Sequence, residues 1–238
     1  MAGTMNRNGN SGSTAESGPT YQQLAYDFVK ARIMNLELKP GQYITDSQVA
    51  GDLNISRTPV REALRRLEQE NLLINEARRG WKVYALALKD IHEIFDIKET
   101  LEGLIIRRAA AYKGEELRRT LKEALDRMQR ATQDGDSDAW LEADTQLHEI
   151  IFAMGGNERA SNIIRGVNDQ WYRVRIGLQA LGGRMQRSTP EHEHIVEHIL
   201  AGDGEEAARL NCAHVNSVRD ELVRVLVNLV FPFAEEGV

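Results

Sequence analysis

Ile55-Ser56-Arg57-Thr58-Pro59-Val60-Arg61-Glu62-Ala63-Leu64-Arg65-Arg66-Leu67 is the stretch that decides how this chain is read. Ser56 suits a helix N-cap, and Pro59 is tolerated in the first turn, where its missing N–H would have no helical partner anyway. Val60, Leu64 and Leu67 recur at helical spacing and predict one buried stripe. Arg57, Thr58, Arg61 and Arg65 fall on another face and crowd toward the N-terminus of the helix. That arrangement predicts a recognition helix, whose first residues enter a major groove while its apolar side packs on a preceding helix.

The flanking residues complete a helix-turn-helix with a wing. Tyr21 to Met34 carries apolar residues at helical spacing, and Lys39-Pro40-Gly41 ends that run. Thr45 or Asp46 caps a short second helix through Leu53, and Leu53-Asn54-Ile55 is the tight turn into the Arg57 helix. Downstream, Leu72-Leu73-Ile74 and Trp81-Lys82-Val83-Tyr84 read as short strands joined through Asn75 to Gly80. Arg78-Arg79-Gly80 then sits at a hairpin tip, placed to lay basic side chains along a phosphate backbone or a minor groove.

With Gly41, Ser56-Arg57-Thr58-Pro59-Val60-Arg61-Glu62-Ala63-Leu64, Leu67-Glu68 and Leu72-Leu73 in this order, the segment over 20–86 resembles the winged helix-turn-helix of the GntR family of bacterial transcription regulators. The resemblance implies that Ser56, Arg57, Thr58 and Arg61 contact operator DNA and that Gly80 is the wing glycine. Arg65 and Arg79 join them from the helix face and the wing tip. Two positions depart from the family pattern. Asn71 stands where many members have glycine, and asparagine also tolerates a left-handed helix end. Ser47 stands where some members carry a DNA-contacting arginine.

Charge is divided unevenly along the 238 residues. Residues 20–86 hold 10 Lys and Arg against 8 Asp and Glu, whereas 87–238 hold 19 against 27. The acidic isoelectric point near 5.6 is therefore compatible with local DNA binding, but it argues against the C-terminal part gripping nucleic acid. Residues 1–19, rich in Gly, Ser, Asn and Thr, read as a disordered arm with no apolar core of a targeting signal. No run approaches the ~20 apolar residues that span a bilayer, so no membrane partner is expected. The single cysteine, Cys212, excludes an intrachain disulfide and fits a reducing cytoplasm; it reads as a packing residue.

From residue 87 to 238 the pattern is helical, which makes the whole chain mainly α. Candidate helices run Leu88–Tyr112, Glu115–Thr132, Ser137–Ala153, Glu158–Val167, Asp169–Leu181, Arg184–Ala201 and Gly204–Phe231, with glycine-containing breaks at most junctions. Six or seven helices with short connections predict an antiparallel bundle whose centre can hold a ligand. Asp144 and His148 are four residues apart, on the face that also carries Trp140, Leu141, Ile151 and Phe152. His192 shares a stripe with Ile195, Val196 and Ile199, and His214 one with Leu210, Val218 and Leu222. Buried polar groups need partners. A divalent metal satisfies all four, while a core histidine bonded to a carbonyl satisfies each alone. His194 and His198 form a competing pair whose face excludes Ile195 and Ile199, which predicts solvent; His92 has no partner spacing. Glu191 and Glu193 flank His192 and are expected to point away from its stripe.

Asp144-x3-His148 followed by His192 and His214, with Glu191-His192-x2-Ile195-x3-Ile199-x3-Asp203 and the Gly156-Asn157 break, resembles the FCD effector domain of the FadR-type branch of the same family. That resemblance implies that Asp144, His148, His192 and His214 are metal ligands. Three imidazoles and a carboxylate favour zinc, nickel or another first-row divalent ion over calcium or magnesium. It further implies a small carboxylate effector, with Lys98 (arginine in many relatives) and Arg173 or Arg175 placed to neutralise a second carboxylate, and a homodimer on a palindromic operator. The expected function is a cytoplasmic, ligand-responsive repressor of double-stranded operator DNA, not an enzyme. Two alternatives differ in chemistry: a metal-free regulator filled by an acyl effector, and a metallohydrolase. The second lacks a His-Glu-x-x-His motif and any general base at recognisable spacing from the ligands.

Overall fold

The computed structural model describes residues 19–180 and 183–230, with backbone alone for 173–180, 225, 226 and 228–230. Nearly all of the N-terminal arm and Phe231 lie outside the described residues. Three helices come first: α1 (Tyr21–Met34), α2 (Asp46–Leu53) and α3 (Arg57–Gln69). Val60, Leu64 and Leu67 of α3 are fully buried with Ala25, Val29 and Ile33 of α1, so the apolar stripe does pack on the preceding helices. Thr45 caps α2 through a reciprocal box with Gln48, and Asn54 closes it in the left-handed conformation. Asn71, after α3, is also left-handed at φ 56°, as its departure from glycine leads one to expect. Ser56 holds the N-cap position of α3, yet its hydroxyl makes no capping bond and stays exposed.

The wing is a three-stranded antiparallel sheet in the order β1-β3-β2, formed by β1 (Tyr43–Ile44), β2 (Leu73–Glu76) and β3 (Gly80–Val83). Strand β1 has no sequence signature, because two residues are too few to show a period; pairing of Tyr43 with Lys82 and Ile44 with Trp81 defines it. The hairpin turn is tighter than the sequence suggests, since Asn75 and Glu76 continue the β2 ladder opposite Trp81 and Gly80. Gly80 has φ 98°, and a Cβ there would lie 2.6 Å from the carbonyl oxygen of Ile44. Both the conformation and the contact exclude a side chain. Gly80→Ala is expected to destabilise the protein by more than about 1 kcal/mol, read by chemical denaturation. Unchanged stability would show that β1 can withdraw from the wing without loss.

Six helices follow among the described residues: α4 (Leu88–Ala111), α5 (Glu115–Asp134), α6 (Ser137–Gly155), α7 (Glu158–Ala180), α8 (Arg184–Ala201) and α9 (Gly204–Val230). They form the antiparallel bundle. A continuous α7 corrects the expected break between Val167 and Asp169. Asn168 does not turn its amide onto the local backbone, which is how asparagine interrupts helices. Its side-chain oxygen instead accepts bonds from Lys98 at 2.7 Å and from the Trp171 indole at 3.2 Å. Gly155 lets α6 approach α4, since a Cβ there would meet Ile105 Cγ2 at 2.7 Å. The main apolar core joins α4, α5, α6, α8, α9 and the start of α7, and a smaller cluster of Ile91, Phe95, Val167, Trp171, Val215 and Leu222 closes the other end. Between the two clusters lies a cavity.

Candidate metal centre and nucleic-acid interface

On the first unit, α2, the start of α3 and the wing enclose a polar groove containing Ser47, Arg57, Arg61, Arg65, Arg78 and Arg79. Arg57, Thr58, Arg61, Arg65 and Arg79 are all exposed, and Gly80 forms the near end of β3. The sequence reading missed Asp46, a side chain 13% exposed that accepts hydrogen bonds from both Arg57, at 3.2 Å, and Arg61. Burial works against its charge, but the Arg61 and Arg57 guanidiniums outweigh this and hold its carboxyl below the ordinary range. Asp46 therefore fixes the two arginines relative to each other. Sequence spacing gave no signal for it, because the pairing joins two helices across their packed angle. Arg65 pairs with Glu62 at 2.9 Å within its own helix.

The cavity in the bundle measures about 360 Å³. Asp144 and His148 enter it from α6, His192 from α8 and His214 from α9. Asp144 Oδ1 lies 3.2 Å from His192 Nε2 and 3.8 Å from His148 Nε2, and the two Nε2 atoms are 3.4 Å apart. Atoms bound to one ion at about 2.1 Å sit roughly 3 to 3.5 Å from one another; two of the three separations fall in that range and the Asp144–His148 one lies a little beyond it, so the triad fits a first-row divalent metal after a small inward shift of His148. The Nδ1–H of His192 donates to the Ser188 carbonyl at 2.8 Å, which fixes the tautomer and presents the Nε2 lone pair to the site. Among the described residues, Asp144, His148 and His192 are brought within 4.8 Å as a possible ion site. His214 stands beside the triad rather than in it, its ring 4.4 Å from that of His192.

Glu191 corrects the expectation that it points away. Its Oε2 accepts from His214 Nδ1 at 2.6 Å and from Arg184 at 3.1 Å. The reason is the wide angle of the buried α8 face: Glu191 borders the stripe of His192, and the buried Arg184 one side over draws it inward. Burial first, and then the neighbouring His192 and Arg184, hold His214 well below the ordinary histidine range and keep it neutral. Arg184 itself is buried among Glu191, Glu221 and Ser217. Sequence analysis did not single it out, although an arginine seven residues before a glutamate on one helix is a recognisable pairing.

Lys98 lines the cavity as expected, but its ammonium is engaged: Nζ lies 2.6 Å from Glu102 and 2.7 Å from Asn168. Glu102 is fully buried. Desolvation would raise its pKa, yet the Lys98 charge and its hydrogen bonds hold it at about 2. Arg173 and Arg175 have side chains outside the described residues. His194 is exposed and His198 pairs with Asp203 at 3.5 Å, while His92 is exposed, so none of the three joins the centre. Cys212 Sγ donates to Glu99 at 3.0 Å, and that carboxylate and burial push the thiol up, away from nucleophile chemistry. One contact links the two units beside the cavity: Lys30 of α1 binds Asp169 of α7, next to Asn168.

Residues 20–83 match the family model described as bacterial regulatory proteins, gntR family, and residues 93–217 match the FCD domain. The HTH-type transcriptional regulator YdhC of Bacillus subtilis is 31% identical over 209 residues, covering 87% of this chain and 93% of its own. A probable D-xylose utilization operon transcriptional repressor from Paenarthrobacter nicotinovorans is 28% identical, covering 79% of this chain and 83% of its own. Among solved structures, E. coli McbR/YncC superposes with a TM-score of 0.73 at 19% identity, covering 87% of this chain and 99% of its own. That likeness shows the shared fold.

Proposed function

The chain belongs to the gntR family of bacterial transcription regulators and carries an FCD domain; from that premise we propose that it is a cytoplasmic, homodimeric repressor released from a palindromic operator by a small carboxylate bound at a metal in the bundle. Residues 20–86 are the DNA-binding unit and 87–238 the effector-binding and dimerisation unit. The observation that carries the reading is the convergence of Asp144, His148 and His192 from two helices on one point in the cavity. His214 is the fourth ligand: Glu191 takes its Nδ1–H and leaves Nε2 for the ion. A bound zinc or nickel ion supplies positive charge that attracts an anionic effector. The protein residues do the rest by orienting ligand atoms and excluding water.

Operator contacts fall to Ser56, Arg57, Thr58, Arg61 and Arg65 in the major groove and to Arg79 and Gly80 at the wing. Asp46 pre-orients Arg57 and Arg61, which reduces the ordering cost of base contacts. Coupling runs through α7, whose Asn168 and Trp171 face the cavity while Asp169 holds Lys30 of α1, and α1 packs on the recognition helix. A shift of α7 on effector binding changes the placement of two winged units, and half-site spacing is the quantity a palindromic operator reads.

The test of DNA binding uses duplexes selected from a randomised pool by the full-length protein. Arg57→Ala and Arg61→Ala are each expected to weaken binding to the selected site by about 1–3 kcal/mol. Their loss on random duplex should be smaller. Affinity equal to wild type in both variants would remove α3 as the reading helix.

A further inference from the structure

The cavity has cations in its wall, but among the described residues each is already matched by a carboxylate. Lys98 holds Glu102, Arg184 lies between Glu191 and Glu221, and Arg165 binds Glu149 at 2.9 Å. None is offered to a second carboxylate, contrary to the role that the sequence reading gave Lys98. Asp144 alone among the three clustered ligands carries charge, since the histidines bind metal in neutral form. With a divalent ion in place, the centre carries a single net positive charge, enough for one carboxylate. Among the described residues no cation is left for a second carboxylate, and burying one without a counter-charge is strongly unfavourable.

Much of the rest of the wall is aromatic, with Thr145, Ser188, Asn168, Val215 and Val218 between the rings. Phe95 and Trp171 meet with ring centroids 5.2 Å apart, and Trp140, Phe152 and Tyr172 line the same space. Flat apolar walls of this kind favour a ring packed edge-to-face or offset, and they offer a chain of hydroxyls few partners. The volume of about 360 Å³ is of small-molecule size. Resting on the metal-centre reading, we infer that the effector is a monocarboxylate bearing an aromatic ring, its carboxylate at the metal and its ring against Trp171 and Phe95, and that dicarboxylates are rejected.

The experiment uses the full chain loaded with nickel, its content measured per chain, and titrates phenylacetate, benzyl alcohol, acetate and succinate by calorimetry and tryptophan emission. Phenylacetate is expected to bind at least about tenfold more tightly than either acetate or succinate, because burying a ring contributes more than one factor of ten. Trp171→Leu, with nickel retained, should erase the advantage of phenylacetate over acetate. Succinate binding as tightly as phenylacetate, with nickel retained, overturns this inference and leaves the metal centre standing. Benzyl alcohol matching phenylacetate overturns it as well, by showing that the carboxylate is not recognised. Failure to retain nickel overturns both the inference and the metal reading on which it rests, and the metal measurement tells these cases apart.

Discussion

His148→Ala is expected to lose the bound transition metal, about one ion per chain in the wild type, as read by elemental analysis of untagged protein. His148 is the suitable ligand to remove because its side chain is 22% exposed, so truncation leaves no closed void; His192, at 3% exposure, would leave one. Stability follows the metal by mass action. An ion present at about a thousand times its dissociation constant contributes roughly 4 kcal/mol. A chelator should therefore lower the melting temperature of the wild type markedly and leave that of the variant almost unchanged. The ligands must be neutral imidazoles to hold a metal, so acidification should weaken metal retention. A wild-type protein that holds neither zinc nor nickel after incubation would end the metal reading and turn attention to metal-free, apolar effectors.

Lys98→Met should cost about 3–5 kcal/mol, because it strands the Glu102 carboxylate in the interior with Asn211 as its remaining amide donor. The pair is worth little against an apolar replacement, so Lys98→Met combined with Glu102→Leu should recover most of the loss. The pH dependence has a definite sign. Glu102 in the folded protein titrates at about 2, below its ordinary 4.5, so its contribution is complete above about pH 4.5 and is lost as pH falls toward 2. In Lys98→Met only His148 and Asn211 still oppose the burial effect, so the carboxyl takes up a proton more readily and the deficit narrows on acidification. Urea denaturation of both variants between pH 4 and 8 measures this; equal stability of Lys98→Met and wild type at pH 8 would show that water reaches Glu102.

Several features of the site were legible because they are local. The spacing of Val60, Leu64 and Leu67 placed α3 with its arginines outward, and the Asp144–His148 interval put two ligand types on one face of α6. Both follow from helix geometry alone, which relates residues three and four apart whatever surrounds them. The continuity of α7 was not legible, since Asn168 was released from its helix-breaking role by Lys98, seventy residues earlier in the chain. The same holds for Glu191, whose direction was set by the buried Arg184 and by His214 on another helix.

Legible in the chain alone were the mainly α architecture, the outward basic face of α3 and the four side chains of metal-ligating type in the bundle. Only the tertiary structure decided that Asp46 holds both Arg57 and Arg61, that Lys98 is matched by Glu102 and Asn168, and that three ligand atoms meet within 4.8 Å while His214 leans on Glu191. The division has a physical cause. Periodicity and capping act over one or two turns of a chain. Pairing of buried charges depends on which distant side chains the packed core brings within hydrogen-bond reach, and in a low-dielectric interior that choice governs what a cavity can bind.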